Sequence, residues 1–182
     1  MNNKTQRTRY SLRSQLMHAL VAFMVIGLML VGVFLEDFPS SIQGNMYMLH
    51  KSFGLVVLVL MFLRISFILF DGRPRLPENT PLYERVLSKS VQYALYVLLI
   101  AMPLSGWIMS VAGGYIPVLF DIWTLDLPFV PKSQVIAEQY EALHYYFAWG
   151  ILALLILHVL GNIKHYFYNK DKVVQTMWNF KK

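Results

Sequence analysis

Four stretches of this chain are apolar for long enough to cross a lipid bilayer as helices: residues 14–35, 46–70, 88–112 and 142–166. About 20 residues cover the hydrocarbon at ~1.5 Å of rise each. No water is available there to satisfy a free backbone N–H or C=O, so a span is either a helix or part of a closed barrel, and continuous runs of this length select the helix. With 182 residues, 57% hydrophobic and 14% charged, the chain is too apolar for a water-soluble domain of its size. The connections are short except for one, and no repeat, low-complexity tract or composition shift divides the chain. The expected fold is an all-α membrane protein, a four-transmembrane-helix up-and-down bundle forming a single domain over 1–182. The first run follows a basic tail, as a signal peptide would, but it is long and no small-residue cleavage site precedes Glu36; it is read as a retained helix.

Lysines and arginines outside the spans give the orientation. Lys4, Arg7, Arg9, Arg13, Arg73, Arg75, Arg85, Lys89, Lys164, Lys170, Lys172, Lys181 and Lys182 fall on one side, whereas the other has only Lys132, together with Glu36, Asp37, Asp121, Asp126, Glu138 and Glu141. The positive-inside rule places both termini in the cytoplasm. It also accounts for the net charge of +6 without nucleic acid, because the basic residues flank apolar runs instead of forming a stripe.

The long outer connection, 113–141, holds Gly113, Gly114, three prolines and the aromatics Tyr115, Phe120, Trp123 and Phe129. It is expected to lie along the outer surface, its aromatics forming an interfacial belt or, as the less favoured alternative, a lid over a substrate site. After Ser133, the spacing of Ile136, Ala137, Tyr140 and Leu143 predicts a short amphipathic helix leading into the fourth span.

His18, His50, His144 and His158 lie inside the spans, where ionisable residues are uncommon and face the bundle interior. One such histidine reads equally well as a hydrogen bond between helices. Their distribution says more. His144 and His158 are fourteen residues apart, almost four turns, so they share a face of one helix at depths ~21 Å apart. His18 and His158 occupy the inner level and His50 and His144 the outer level, so the pairs are His18 with His158 and His50 with His144. The absence of cysteine excludes disulfides, thiolate-bound clusters and covalent haem attachment. Two facing imidazoles with no carboxylate beside them lack the third or fourth ligand that zinc requires, and bis-histidine haem fits best. Two haems in the bundle interior make an electron path across the membrane.

Other residues carry two readings each. Gly54, Gly150 and Gly161 let backbone approach a flat macrocycle, or pack helices closely. Arg64, fourteen residues after His50, returns to the same face at the inner level, where it binds a haem propionate or snorkels to lipid phosphate. Lys51 pairs with a propionate, attracts an anionic substrate, or snorkels. His165 reads as a surface or propionate contact. Tyr93, Tyr96 and Trp107 line a cavity on the third span, which has no histidine and is expected to close the bundle as a wall.

LMHAL around His18, MLHKSFG with His50 and Gly54, LVLMFLR ending at Arg64, ALHYYFAWG with His144 and LILHVLGNIKHYF with His158 and His165 together resemble the bacterial cytochrome b561 family over essentially the whole chain. The resemblance implies two non-covalent b-type haems, an inner-membrane location and electron transfer linked to ubiquinone or another quinone. For some members it implies oxidation of superoxide at the outer face. The expected function is electron transfer between a periplasmic redox partner, superoxide in such members, and the quinone pool. The alternatives are a haem-carrying anchor subunit of a larger oxidoreductase, and a haem-free helical scaffold or transporter.

Overall fold

Helix starts follow from local chemistry. Ser11 caps α1 (Leu12–Val33), its hydroxyl accepting from the Ser14 amide. Pro39 and Pro81 precede α2 (Ser40–Asp71) and α3 (Leu82–Ala112), where a locked φ favours the extended backbone that leads into a first turn. Ser133 caps α4 (Gln134–Ile163) by accepting from the Ile136 amide. Gly72 stops α2 at φ 79, a left-handed conformation open to glycine without steric cost. Beyond α4 the chain widens into a π-helical turn, Lys164–Asn169, and then forms the short α5 (Val173–Met177). The structure, a computed structural model, describes residues 8–77 and 80–178.

All four long helices have the length and hydropathy to cross a membrane. All four begin before the apolar windows do, α2, α3 and α4 by six residues or more. α2, of 32 residues, is ~48 Å long against a hydrocarbon thickness of ~30 Å, so polar first turns continue the helix into the headgroup region. The amphipathic segment expected after Ser133 is the first part of α4, without a break.

Ion pairs show the helices alternating in direction. Arg13 at the start of α1 binds Asp71 at the end of α2, and Lys164 just after α4 binds Glu84 at the start of α3. The side carrying these pairs is the terminal side; the opposite one is the loop side. Lys4, Arg7, Lys181 and Lys182, counted above for orientation, lie outside the described residues.

Side-chain burial is reversed relative to a soluble bundle. Phe23, Leu30, Leu69 and Phe70 project outward, as lipid-facing residues do. Val21, Val25, Val57, Met61 and Ile151 form the central core layer, with Met61 fully enclosed. α1 packs on α2, α2 on α3 and α3 on α4, and α4 meets α1 and α2 in the core layer through Ile151. On the terminal side of that layer, interior space lies along the α4 face that bears His158.

On the loop side, β1 (Val118–Leu119) and β2 (Trp123–Thr124) form an antiparallel hairpin whose turn places Phe120 and Asp121 at positive φ. The Phe120 amide donates to Ser52 Oγ at 2.9 Å, the Trp107 indole to the Leu125 carbonyl at 2.8 Å and Lys132 Nζ to the Val111 carbonyl at 3.0 Å. Phe120 meets Phe53 edge to face, with centroids 5.2 Å apart. Tyr115, Trp123 and Phe129 are exposed, so the aromatics divide: three face outward and one turns down onto α2.

Candidate functional site

Nearest the termini, the His18 and His158 rings face each other with centroids 6.3 Å apart and planes at 67°. Nearest the loops, His50 and His144 do the same at 6.4 Å and 72°. At a metal–nitrogen bond of about 2 Å and about 1 Å from nitrogen to ring centre, two imidazoles on one metal hold their centroids about 6 Å apart. The planes lie far from parallel in both pairs. No group of three or more metal-ligating side chains occurs among the described residues, so neither pair has the donors of a zinc site.

The terminal-level pair borders a cavity lined also by Met61, Arg64, Gln92 and Tyr96. Arg64 is only 7% exposed, with Nη1 2.6 Å from His18 Nδ1 and its guanidinium over the Tyr96 ring. Arg64 Nε and the Tyr96 hydroxyl are buried without a hydrogen-bond partner among the described residues. Arg73 stacks on Tyr93 and Tyr96 and donates to Gln92 Oε1 at 3.2 Å. This end of the cavity therefore presents several donors and no carboxylate, an environment suited to an anionic group.

At the loop level, α3 orients His144. Nδ1 lies 3.1 Å from the Met102 carbonyl and 3.1 Å from Ser105 Oγ, and the Ser105 hydroxyl itself donates to that carbonyl. A carbonyl only accepts, so Nδ1 carries the proton and Nε2 keeps its lone pair for a metal. Pro103, between these residues, lacks an N–H and interrupts the α3 hydrogen-bond ladder. Gly106 makes room for the ring: a Cβ there would stand 2.9 Å from His144 Cε1. Gly32 on α1 does the same for His50, at 3.2 Å. His50 Nδ1 is buried without a partner among the described residues.

These contacts correct several expectations. The third helix is more than a closing wall, because it supplies the acceptors for His144. Two glycines not singled out above, Gly32 and Gly106, stand against the histidine rings; a Cβ at Gly54 or Gly161 would meet no protein atom within 4 Å, which speaks against close helix packing there and leaves the macrocycle reading open, and one at Gly150 would meet Leu98. Both residues were legible as small positions in apolar runs, but nothing in one dimension says which glycine faces a ring on another helix. His165 is not a surface contact: it is buried on the π-helical turn with Nδ1 2.6 Å from Asp171 Oδ2. Lys51 Nζ donates to the Tyr115 carbonyl at 3.1 Å and lies 5.8 Å from the Tyr115 ring centre.

Fold and site together define a membrane-embedded four-helix protein whose interior offers imidazole pairs at two depths. A family model described as prokaryotic cytochrome b561 matches residues 9–180, and the chain belongs to that family. It is 29% identical over 174 residues to cytochrome b561 homolog 2 of Escherichia coli (strain K12), covering 93% of this chain and 90% of that protein. It is 28% identical over 141 residues to the probable superoxide oxidase CybB of Yersinia pestis, covering 76% of this chain and 78% of that one. The protein is accordingly a multi-pass bacterial membrane electron-transfer protein, and its family implies b-type haem. Family membership sets the haem-free alternative aside.

Proposed function

We propose that this chain, as one domain over 1–182, holds two b-type haems and passes electrons between the periplasmic face and the quinone pool of the inner membrane. His18 and His158 ligate one haem and His50 and His144 the other. The observation that carries this reading is the repetition of one geometry at two depths: centroid separations of 6.3 and 6.4 Å, each with one histidine from α4. The residues fit the group in three further ways. The cavity at the terminal level is open and apolar-walled; His144 keeps Nε2 free by donating from Nδ1; and Arg64 Nε and the Tyr96 hydroxyl are buried donors without an acceptor. When bound, a haem with both axial positions filled by imidazole supplies a one-electron couple and leaves no position for oxygen.

Arg64 is assigned to a propionate of the terminal-level haem. A guanidinium only donates, so its bond to His18 uses the Nδ1 lone pair. With Nε2 given to iron, His18 would carry its ring proton on Nδ1, which cannot accept from a guanidinium, and Arg64 would be free to hold a propionate. Lys51, beside His50, gives the loop side a cation where an anionic donor arrives. Superoxide is the proposed donor there and ubiquinone the acceptor, in keeping with the relative named a probable superoxide oxidase. With both termini cytoplasmic, the loop side is periplasmic.

A reduced-minus-oxidised visible spectrum of the purified protein with quantified haem tests this reading. Two haems per chain are expected, and a colourless stable protein would end it. His50→Ala and His144→Ala are each expected to remove the same haem and retain the other; loss of different haems by the two variants would break the pairing.

A further inference from the structure

The two histidine levels differ in what their imidazoles and cations face. Resting on the two-haem reading, we propose that Arg64 on α2 and the Met102–Ser105 acceptors on α3 bias the levels in opposite senses, so that the terminal level holds an electron more tightly than the loop level.

At the terminal level, the guanidinium of Arg64 lies 2.6 Å from His18 Nδ1 and is nine-tenths buried. A propionate bound by Arg64 offsets one positive charge, but a second guanidinium, Arg73, shares the Tyr96 ring with it, so this level keeps a cation beyond the one the propionate uses. Reduction lowers the positive charge of an iron centre by one, so a neighbouring cation favours the reduced form. His18 finds no acceptor in Arg64 for a proton on Nδ1, which keeps it a weaker donor to oxidised iron.

At the loop level, His144 donates from Nδ1 to two acceptors, each at 3.1 Å. That donation raises the basicity of Nε2 and favours the oxidised, more positive centre. His50 Nδ1 has no partner among the described residues, so the loop-level bias comes from His144. A cation is present at this level too, but the Lys51 ammonium is engaged by the Tyr115 carbonyl under the surface hairpin. At equal distance, a charge in a surrounding of dielectric ~80 acts about four-fold more weakly than one at ~20, so the buried guanidinium outweighs the ammonium nearer water. An electron delivered by a one-electron reductant on the loop side then runs downhill to the terminal level, where a quinone accepts it. One electron moves, and no bond forms or breaks.

The test is a potentiometric titration of the full-length holoprotein in detergent, followed in the visible spectrum and resolved into two one-electron steps. In His50→Ala, which lacks the loop-level haem, the surviving step is expected to be the higher one. Arg64→Gln is expected to lower the higher step and leave the lower in place, Arg64→Lys to hold it near its original value, and Ser105→Ala to raise the lower step. Survival of the lower step in His50→Ala overturns the proposal, as does a higher step that stays put in Arg64→Gln or a lower step that stays put in Ser105→Ala. If Arg64→Gln fails to retain the terminal-level haem, the His50→Ala assignment decides. Failure of the two-haem reading is distinguishable, since it appears in the wild type as fewer than two haems per chain.

Discussion

Gly32 and Gly106 set how closely His50 and His144 approach the helices beside them. In Gly106→Ala the new methyl would stand 2.9 Å from His144 Cε1 and 3.1 Å from Nδ1, so the ring must leave its acceptors. Overpacking of this kind costs ~1–3 kcal/mol, and haem content is expected to fall from two towards one per chain. Gly32→Ala, with its contact at 3.2 Å, is expected to retain more haem than Gly106→Ala. Equal and undiminished content in both variants would show that the rings shift freely. The four intramembrane histidines were readable in the sequence because an ionisable group in an apolar run stands out against the cost of placing it there. Glycine carries no such cost, so Gly54, Gly150 and Gly161 were as plausible as the pair that faces the rings. Arg64 was legible by its spacing from His50, but its nearness to His18 Nδ1 depends on how α1 and α2 pack.

Among the elements, α3 and the hairpin after it were the least legible. A helix without histidine gives no sign that its Met102 carbonyl and Ser105 hydroxyl orient His144 on α4, because that role depends on contacts 42 and 39 residues away. The hairpin is short and its anchors lie on other helices. In Ser52→Ala the Phe120 amide loses its acceptor, a cost of ~1–3 kcal/mol for a buried donor. Amide exchange at Phe120 and its neighbours is expected to accelerate while the α2 core stays protected. Unchanged exchange at Phe120 would mean that the Trp107 and Lys51 bonds hold the hairpin without Ser52. Helix existence was readable from the apolar windows, whereas helix length was not, since only the bilayer-crossing part has to be apolar.

For the molecule as a whole, orientation decides which level meets the periplasm. The chain has no cysteine, so single substitutions report topology cleanly. Asp126→Cys is expected to react with a membrane-impermeant maleimide in intact cells, and Lys172→Cys only after the membrane is breached. The opposite labelling pattern would invert the proposed direction of electron flow. By itself the sequence determined the membrane class, the four spans, the up-and-down order and the four candidate ligands, because lipid imposes uninterrupted apolar helices and makes every interior histidine conspicuous. Only the tertiary structure decided the distance between facing rings, the α3 acceptors behind His144, the buried Arg64 against His18 and the His165–Asp171 pair on its π-helical turn. Those depend on the rotation of each helix about its axis and on the course of the terminal and loop segments, which the packing of distant side chains fixes and local pattern does not encode.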